Sequence, residues 1–475
     1  MPRRTKIVAT LGPASSSKQT LARMIGAGLD VVRVNFSHGT PREHAERVEL
    51  VRRLARKARR SIGVLVDLQG PKIRIGRFQN DRILLHTGGR FVLDAECNLG
   101  DANRVGLDYR NLPKDVAPGD TLLLDDGRIV LGVTRVKGPR IFCRVEQGGE
   151  LSNNKGINRK GGGLTAPALT EKDMQDITTA AQLKADYLAV SFPRSGADVQ
   201  WARDLMVKAG GRSLICAKIE RAEAVSALAD IVDASDSIMV ARGDLAVEIG
   251  DAAVPALQKR MINMARERNK LVITATQMME SMIDSPIPTR AEVSDVANAV
   301  LDGTDAVMLS AETATGRYPV ETVAAMARVC LEVEKEGTEA TGRRRRDLPE
   351  NVEASIARAA IYAANSLDIR AIAALTQSGK TVLLMSRESS NVPIYALSSV
   401  VETRRRVTLF RGVYPIKFKG ARNPERALHM AEDELLRRGA VKHGDYIILT
   451  IGEPFGKAGG TNTMKIVRVG EHRTA

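Results

Sequence analysis

Short apolar runs recur along the chain, and their alternation with amphipathic segments constrains the fold more than any other feature of the sequence. The segments between most runs, such as residues 18–27 and 253–269, place apolar residues at helical spacing. Strands that are apolar throughout are typical of parallel sheets covered by helices. Eight strand–helix units favour a closed (β/α)8 TIM barrel, with a large open sheet as the alternative. The eight runs lie at residues 7–9, 31–34, 64–66, 187–190, 214–217, 238–241, 271–275 and 306–309.

The interval between the third and fourth runs, residues 68–165, has a different texture. Glycines are frequent there, apolar and polar residues alternate in stretches such as TLLLDDGRIVLGVTRV, and Asp126-Gly127 forms a turn pair. Alternation bounded by turn pairs predicts antiparallel strands. We therefore expect a small β-barrel domain inserted at the face of the TIM barrel that carries active sites, where it would act as a lid.

The remaining sequence completes the predicted domain organisation. The stretch GTEATGRRRRDLPEN, at residues 337–351, is polar, basic and glycine-containing, as expected of a linker. After it, apolar runs and amphipathic segments alternate again, which predicts an open α/β sheet. We expect the barrel at residues 1–67 and 166–340, the lid at 68–165 and a C-terminal α/β domain at 341–475.

The composition narrows the choice of partners and compartment. A net charge of +15 suits anionic partners. Aromatic residues make up only 3% of the chain, which argues against a single-stranded nucleic-acid binder, the non-enzymatic alternative. The four cysteines form no CxxC pair, and no apolar run is long enough to span a bilayer. We expect a cytoplasmic protein with neither a nucleic-acid nor a membrane partner.

Polar side chains follow the apolar runs at the strand ends where barrel enzymes hold their active sites. Such residues at six strand ends favour an active site over unrelated surface ion pairs. They are Arg33, Asn35, Ser37 and His38 after the second run, Asp67 after the third, Lys218 and Glu220 after the fifth, Arg242, Gly243 and Asp244 after the sixth, Thr274 and Thr276 after the seventh, and Ser310 and Glu312 after the eighth.

The acidic and basic residues among them suit a magnesium enzyme. Glu220 and Asp244 offer carboxylate oxygens from neighbouring strands, which suits Mg²⁺ with further ligands from substrate. Lys218 is two residues before Glu220 and so on the same face, where it can neutralise a phosphoryl group or an enolate. Arg33 adds a phosphate clamp, and the N–H groups of Gly243 and Asp244 suit a substrate carboxylate.

Two functional classes fit these residues. One is phosphoryl transfer; the other is a different Mg²⁺-dependent TIM-barrel enzyme, a lyase or aldolase acting on pyruvate or its enolate. The lid insert, Arg33 and the QGPKIR turn favour a nucleotide partner and hence the first class. His38 is equally consistent with nucleotide contact and with a solvated loop histidine.

A set of motifs spanning essentially the whole chain resembles the pyruvate kinase family. The motifs, in order, are NFSHG, DLQGPKIR, KIE, ARGDL, ATQMMESM, PTRAEVSDVANAVLDGTD and MLSAETATGRYPVE. The resemblance implies a barrel with a lid and a C-terminal domain, and phosphoryl transfer from phosphoenolpyruvate to ADP giving pyruvate and ATP in glycolysis. It also implies a homotetramer, with the C-terminal domain as an oligomer interface.

The resemblance further implies roles for individual residues. Arg33 and Lys218 would hold the phosphoryl group, and Glu220 and Asp244 would bind Mg²⁺, or Mn²⁺ in its place, with a second Mg²⁺ arriving with the nucleotide. Thr276 would lie near the carbon that is protonated, acting through a water because a hydroxyl is a poor acid. The implied substrate-binding residues are Arg33, Lys218, Gly243, Asp244 and Thr276, and the implied nucleotide-binding residues are Asn35, His38, Arg74 and Lys155.

The turn DLQGPKIRIG departs from the commoner family form DTKGPEIRTG. Many members bind K⁺ at positions matching Asn35, Ser37 and Asp67, whereas the four changes here, Leu68, Gln69, Lys72 and Ile75, resemble the K⁺-independent branch. A tethered ammonium has a charge and size comparable to K⁺. We therefore expect Lys72 to replace the ion and activity to be independent of K⁺. The alternative is a surface ion pair between Lys72 and Asp67, which would contribute little.

The stretch ALTQSGKT, residues 374–381, is one glycine short of a GxxxxGK[ST] phosphate-binding loop. The matching loop of related enzymes binds phosphorylated sugar effectors, and an inert structural turn is equally consistent with the sequence. The candidate effector residues are Thr376, Ser378, Lys380 and Thr381.

Overall fold

The computed structural model describes residues 2–335, 349–419, 423–454 and 460–471. The boundary expected between residues 340 and 341, and the part of the expected linker up to residue 348, lie outside the described residues.

The chain begins with three strands, β1 (Lys6–Thr10), β2 (Val31–Asn35) and β3 (Gly63–Asp67), and two intervening helices, α1 (Lys18–Ala27) and α2 (Pro41–Lys57). Ser17 caps α1, and Thr40 with Glu43 forms a reciprocal capping box on α2.

The segment that follows β3 forms a separate β-structure. It has a six-stranded sheet of order β11-β7-β8-β9-β5-β6 and a β4–β10 pair. Single bridges, such as Ile75 with Leu107, link its edges, and its own apolar core includes Phe91 and Leu122. Its elements are β4 (Arg82–Leu85), β5 (Arg90–Asp94), β6 (Arg104–Val105), α3 (Leu112–Asp115), β7 (Thr121–Leu124), β8 (Ile129–Lys137), β9 (Arg140–Gln147), β10 (Gly149–Ser152) and β11 (Ile157–Arg159).

Five further strands complete a closed parallel barrel of order β1-β16-β15-β14-β13-β12-β3-β2. The barrel expected from the sequence is confirmed, and each of the eight apolar runs is one of its strands. The strands are β12 (Tyr187–Val190), β13 (Leu214–Ile219), β14 (Ser237–Ala241), β15 (Leu271–Ala275) and β16 (Ala306–Leu309). The helices are α4 (Glu171–Gln182), α5 (Gly196–Lys208), α6 (Ala222–Ser226), α7 (Leu228–Ala234), α8 (Arg242–Ile249), α9 (Val254–Glu267), α10 (Arg290–Leu301), α11 (Ala311–Ala314) and α12 (Pro319–Lys335).

The C-terminal part forms the expected open α/β sheet. Its strand order is β19-β18-β17-β20-β21, parallel except for β21. Within the described ranges, none of the helices combines the length and apolar character needed to cross a bilayer. The elements are α13 (Val352–Ser366), β17 (Ile369–Leu375), α14 (Lys380–Arg387), β18 (Ile394–Ser398), α15 (Val401–Arg406), β19 (Val413–Lys417), α16 (Pro424–Arg437), β20 (Tyr446–Gly452) and β21 (Thr461–Arg468).

The C-terminal sheet covers the amino end of the barrel. The Tyr187 hydroxyl donates to the Arg406 carbonyl at 2.7 Å, and Lys6 Nζ donates to the Val413 carbonyl at 2.6 Å. Apolar side chains from the barrel interior and the C-terminal sheet share one buried core. The carboxyl ends of the barrel strands therefore remain as the open face, and the inserted β-structure lies on that side.

Candidate active site

A buried cluster of charge lies where β3, β12 and β13 end. Lys218 Nζ is 2.9 Å from Glu220 Oε1, 2.8 Å from Ser191 Oγ and 3.4 Å from Asp67 Oδ1. Burial lowers the pKa of Lys218, but Asp67 and Glu220 more than offset this, and the pKa is raised overall. The lysine is therefore a permanent cation. The alternation of side chains along β13 places Lys218 and Glu220 on one face, as the sequence predicted.

Arg33 is fixed by the same cluster. Its Nε donates to Asp67 Oδ2 at 2.6 Å, and its Nη1 donates to Thr10 Oγ1 at 3.0 Å. Burial raises the pKa of Asp67, but Lys218 and Arg33 more than offset this, and the pKa is lowered overall. Asp67 is thus an anion with two cationic partners. Nη2 is the Arg33 nitrogen that these two bonds leave for an anionic ligand.

The second predicted metal ligand, Asp244, lies in the first turn of α8, directly after β14. Burial raises the pKa of Glu220, and the Asp244 carboxylate raises it further against the opposing effect of Lys218. Two carboxylates that repel each other in a desolvated site are a suitable donor pair for a divalent cation. Across the described residues, no group of three or more His, Cys, Asp or Glu side chains is arranged to hold a metal.

Gly243 and Thr276 are directly joined. The Gly243 N–H donates to Thr276 Oγ1 at 2.8 Å, and that hydroxyl donates to the Ala275 carbonyl at 2.6 Å. Thr276 has φ +68°, and Arg242 holds this strained turn by donating to the Thr276 carbonyl at 2.7 Å. One of the two backbone N–H groups expected to bind a substrate carboxylate, that of Gly243, is therefore already bonded to Thr276 in this structure.

Lys72 pairs with Asp244, one of the predicted metal ligands, and not with Asp67. Its Nζ is 3.1 Å from Asp244 Oδ1 and 3.9 Å from Asp126 Oδ1, which belongs to the insert. The alternative surface pair with Asp67 is not formed, because Arg33 and Lys218 occupy that carboxylate. Of the other positions implied for a monovalent cation, Asn35 accepts from the Ser37 N–H at 3.1 Å.

Two of the predicted nucleotide-binding residues lie close together on the insert. Arg74 forms a bridge with Gly156 and donates from Nη1 to the Asn154 carbonyl at 3.0 Å. The neighbouring Lys155 places its Nζ 2.7 Å from Asp125 Oδ1. His38 lies on the exposed loop after β2.

A cavity of about 810 Å³ separates the insert from the barrel. Lys72, Asp244 and Thr276 line it, together with Asp126 and Lys160 from the insert. This volume is sufficient for a nucleotide-sized ligand. The insert contacts α8, where Glu248 Oε1 accepts from Asn158 Nδ2 at 3.3 Å and the Glu248 backbone carbonyl accepts from the Gly161 N–H at 3.1 Å. The insert is therefore hydrogen-bonded to α8 beside the carboxyl ends of the barrel strands.

The stretch at residues 376–381, called the effector loop here, covers the turn after β17 and the first two residues of α14, and it is internally hydrogen-bonded. Thr376 Oγ1 accepts from the Gly379 N–H at 2.9 Å, and Ser378 Oγ accepts from the Lys380 N–H at 3.3 Å. The Thr381 hydroxyl is buried and donates to Glu353 Oε1 at 2.7 Å. Lys380 Nζ is 3.7 Å from the other oxygen of the same glutamate. Thr381 therefore stabilises the loop from inside.

Three contributors to the site were missed by sequence reasoning. Thr10 ends β1 and Ser191 follows β12, so the strand-end rule that identified the other residues could have found both. Asp126 lies in a turn of the insert, and nothing in the sequence indicated that this turn approaches Lys72.

Comparison with known proteins gives matches to one family, both by family models and by individual relatives. Two family models match, "Pyruvate kinase, barrel domain" at residues 2–323 and "Pyruvate kinase, alpha/beta domain" at residues 354–467. The chain is 54% identical to Pyruvate kinase II of Salmonella typhimurium, covering 98% of this chain and 99% of the relative. It is 54% identical to a pyruvate kinase of Haemophilus influenzae, covering 95% and 96%. A pyruvate kinase of Mycobacterium tuberculosis is 42% identical, covering 99% of both chains.

Proposed function

The chain belongs to the pyruvate kinase family and is a phosphotransferase, and from this premise we propose that it transfers the phosphoryl group of phosphoenolpyruvate to ADP, with Mg²⁺ and without K⁺. The observation that carries the proposal is the buried ammonium of Lys218 between the carboxylates of Glu220 and Asp67 at the barrel mouth, with the Asp244 carboxylate near enough to raise the pKa of Glu220.

Each residue of the cluster has a defined task in this reaction. Glu220 and Asp244 would hold Mg²⁺, which when bound neutralises charge on the phosphoryl and enolate oxygens. Lys218 and Nη2 of Arg33 would bind the oxygens of the phosphoryl group while this group is transferred. Lys218 then stays beside the enolate oxygen, and a water held by Thr276 would deliver the proton to carbon.

The insert would bind the nucleotide. Arg74 and Lys155 would contribute two cations from the insert, and the cavity between the insert and the barrel is large enough for a nucleotide-sized ligand. Asn35, which ends β2, and His38, on the loop that follows, would approach the phosphates from the barrel side. Closure of the insert would exclude water from the phosphoryl group.

The charge balance at Lys72 supports independence from K⁺. Its ammonium lies between Asp244 of the barrel and Asp126 of the insert, where it supplies one fixed positive charge to the cavity. The Asp67 carboxylate, at the implied monovalent-cation position, already has two cationic partners. A K⁺ ion would therefore find little uncompensated negative charge.

The first experiment measures ATP formed from ADP and phosphoenolpyruvate, with Mg²⁺ and after its removal by EDTA. We expect turnover that requires the divalent ion. Turnover of pyruvate or its enolate without consumption of ADP would instead indicate the lyase or aldolase alternative.

A second experiment isolates Lys72. In buffers whose only other monovalent cation is tetramethylammonium, wild-type activity should change less than about twofold on adding K⁺, since a fixed ammonium already supplies the charge. Lys72→Gln should lose about tenfold or more in kcat/KM, with partial recovery in K⁺. Lys160→Gln changes another lysine of the same cavity and should show no recovery. A manyfold activation of the wild type by K⁺ would refute this part of the proposal.

The proposal extends to regulation, assembly and location. Ser378 and Lys380 would bind a sugar phosphate at the exposed side of their loop, while Thr376 and Thr381 hold its shape. The protein would act as a cytoplasmic homotetramer assembled in part through the C-terminal domain. Loss of sugar-phosphate activation in Lys380→Gln would support the effector site. A tetrameric mass by light scattering would support the homotetramer, and a monomeric mass would contradict it.

A further inference from the structure

Three consecutive glycines, called the hinge glycines here, connect the insert to the barrel after β11. Gly161, Gly162 and Gly163 have φ of +82°, +80° and +91°, a backbone conformation that residues with a Cβ rarely adopt. A Cβ on Gly162 would lie only 2.6 Å from Glu223 Oε2, so this carboxylate packs directly on the glycine backbone. Glu223 lies on α6 of the barrel, and it therefore helps to set the conformation of the connection.

Two glutamates of the barrel hold this connection by hydrogen bonds. The Gly163 N–H donates to Glu223 Oε1. Asn158, on β11, donates from Nδ2 to Glu248 Oε1 at 3.3 Å. Glu248 is itself fixed within the barrel, because its Oε2 accepts from the Ala222 N–H at 2.9 Å. The position of the insert relative to the barrel thus depends on a small number of hydrogen bonds to carboxylates.

Arg221 offers Glu223 a second partner. Arg221 Nη1 and Glu223 Oε2 are both buried, and neither atom has a hydrogen-bond partner among the described residues. The Arg221 guanidinium lies over the Phe192 ring, 5.3 Å from its centroid. Burial lowers the pKa of Arg221, and the nearby carboxylates of Glu248 and Glu223 oppose this effect. A buried polar group without a partner costs free energy, and pairing the two groups would recover it.

The hinge glycines are directly connected to the cations proposed to bind the nucleotide. The Ile157 N–H, at the start of β11, donates to the Ile73 carbonyl at 2.9 Å. The Ile75 N–H donates to the Lys155 carbonyl, also at 2.9 Å. Arg74 lies between the two isoleucines that make these bonds, so Arg74 and Lys155 belong to one hydrogen-bonded ladder with β11. A displacement at the hinge glycines would therefore move both cations.

We propose that Glu223 is a latch for the insert. It accepts from the Gly163 N–H in the position seen here, and it pairs with the Arg221 guanidinium instead when the insert moves away. Glu223 is then a positioning residue for the reaction, since it acts on the nucleotide only through Arg74 and Lys155. The inference rests on the proposed function for its effect on the nucleotide, whereas the latch itself is a property of the ligand-free chain.

Hydrogen exchange of the full chain without substrates tests the latch. In Glu223→Ala the Gly163 N–H loses its acceptor, so the peptide that covers the hinge glycines should exchange at least about fivefold faster than in wild type. Glu223→Gln keeps an acceptor oxygen for Gly163 but loses the charge that would pair with Arg221, and it should exchange no faster than wild type. Unchanged exchange in Glu223→Ala, or equally fast exchange in both variants, would overturn the proposal.

Asn158→Asp tests the same connection from the insert and serves as the second variant if Glu223→Ala lowers the unfolding midpoint. It keeps the shape of a half-buried side chain and places a second carboxylate beside Glu248, so the hinge glycines should again exchange about fivefold faster or more. Asn103→Asp makes the same change at an exposed position of the insert and should exchange as wild type does. Equal exchange in the two variants would overturn the proposal.

Steady-state kinetics separates positioning from a purely structural role. In Glu223→Ala and Asn158→Asp, KM for ADP should rise at least about threefold while KM for phosphoenolpyruvate stays within about twofold, because barrel residues bind the second substrate. Glu223→Gln should restore KM for ADP. An equal rise in both constants, or none in either, would overturn the positioning role. Failure of the proposed function would appear as a wild type without turnover, and the exchange experiment would still decide whether the latch exists.

Discussion

Single side chains in the candidate active site are held by opposite charges on more than one neighbour. Asp67 contacts both Arg33 and Lys218, and Lys218 also contacts Glu220. In such a chain of charges, removing one member leaves its neighbour buried without compensation, so the functional and structural effects must be separated by matched substitutions.

Glu220→Gln tests the proposed metal ligand at constant shape. The amide oxygen can still accept from the Phe192 N–H, which Glu220 now does at 2.9 Å, so we expect the fold to persist. The lost charge should lower kcat by about 10²–10³ and weaken the dependence on Mg²⁺, because the site then stabilises less of the charge on the reacting oxygens. Steady-state kinetics across a Mg²⁺ titration measures both effects.

The matched control is Glu280→Gln. Glu280 is an exposed glutamate that lines the same cavity, so the substitution makes the same change in charge without touching the cluster. We expect its kcat to stay within about twofold of wild type, since surface charges act weakly. Equal activities for the two variants would exclude Glu220 as a metal ligand.

His44 should make the protein less stable in acid. Its ring stacks on Phe36 with centroids 4.2 Å apart, and burial, with a smaller effect of Arg47, lowers its pKa to about 4. In the unfolded chain the imidazole takes up its proton near its ordinary pKa of 6.5. Between about pH 6.5 and 4 the unfolded state binds more protons, so stability falls as the pH falls through this window.

His44→Phe keeps the ring and removes the titration. Relative to this variant, the wild type should lose about 2 kcal/mol of unfolding free energy between pH 6.5 and 4, measured by urea unfolding at each pH. The exposed His86→Phe should follow the wild-type curve. Parallel curves for wild type and His44→Phe would show that the buried imidazole does not titrate in this way.

At the scale of elements, α4 fixes the turn that carries Lys72. Asp173 Oδ2 accepts from Thr170 at the start of α4, and its Oδ1 accepts from the Gly70 N–H at 3.0 Å. Asp173→Ala removes the carboxylate half of this capping box and leaves the buried Gly70 N–H without its acceptor, so we expect a loss of about 2–4 kcal/mol in unfolding free energy. Activity should fall as well, because Lys72 would lose its fixed position.

Glu43→Ala is the control that measures only the stability lost with a capping-box hydrogen bond. Glu43 completes the same kind of capping box on α2 but is exposed and holds no distant loop. Its loss should cost about 1 kcal/mol or less and leave kcat unchanged. If denaturant unfolding gives the same cost for both variants, Asp173 acts only as a cap.

The sequence was sufficient for the elements and insufficient for their contacts across the fold. Parallel strands are buried on both faces, so each of the eight barrel strands is recognisable as an apolar run. Because active sites of barrels lie at the strand ends, the sequence also predicted that Arg33, Lys218 and Glu220 lie close together. The partners of Lys72 were not predictable, because Asp126 and Asp244 approach it only when the insert is placed over α8. The internal bonds of Thr381 likewise depend on Glu353, from a helix packed beside its loop.

At the scale of the whole molecule, the barrel and the C-terminal sheet are joined by a buried ion pair. Arg387 at the end of α14 donates from both Nη atoms to Asp305, just before β16, and both side chains are fully buried. Asp305 also accepts from the Val272 N–H at 2.9 Å. This one carboxylate thus holds a barrel strand and the C-terminal part together.

Arg387→Met should weaken this junction more than it weakens either part. Leaving Asp305 buried and unpaired should cost about 3–5 kcal/mol in unfolding free energy. Trp201, the single tryptophan, lies on α5 of the barrel, so its fluorescence reports the barrel while circular dichroism reports the whole chain. In denaturant the two signals should coincide for the wild type and separate in Arg387→Met, with the C-terminal part unfolding first. Arg437→Met removes an exposed arginine and leaves its partner Glu434 paired with Arg438, so it should cost less than about 1 kcal/mol and keep the signals together. Coincident signals in Arg387→Met with a similarly small cost would show that apolar packing alone couples the two parts.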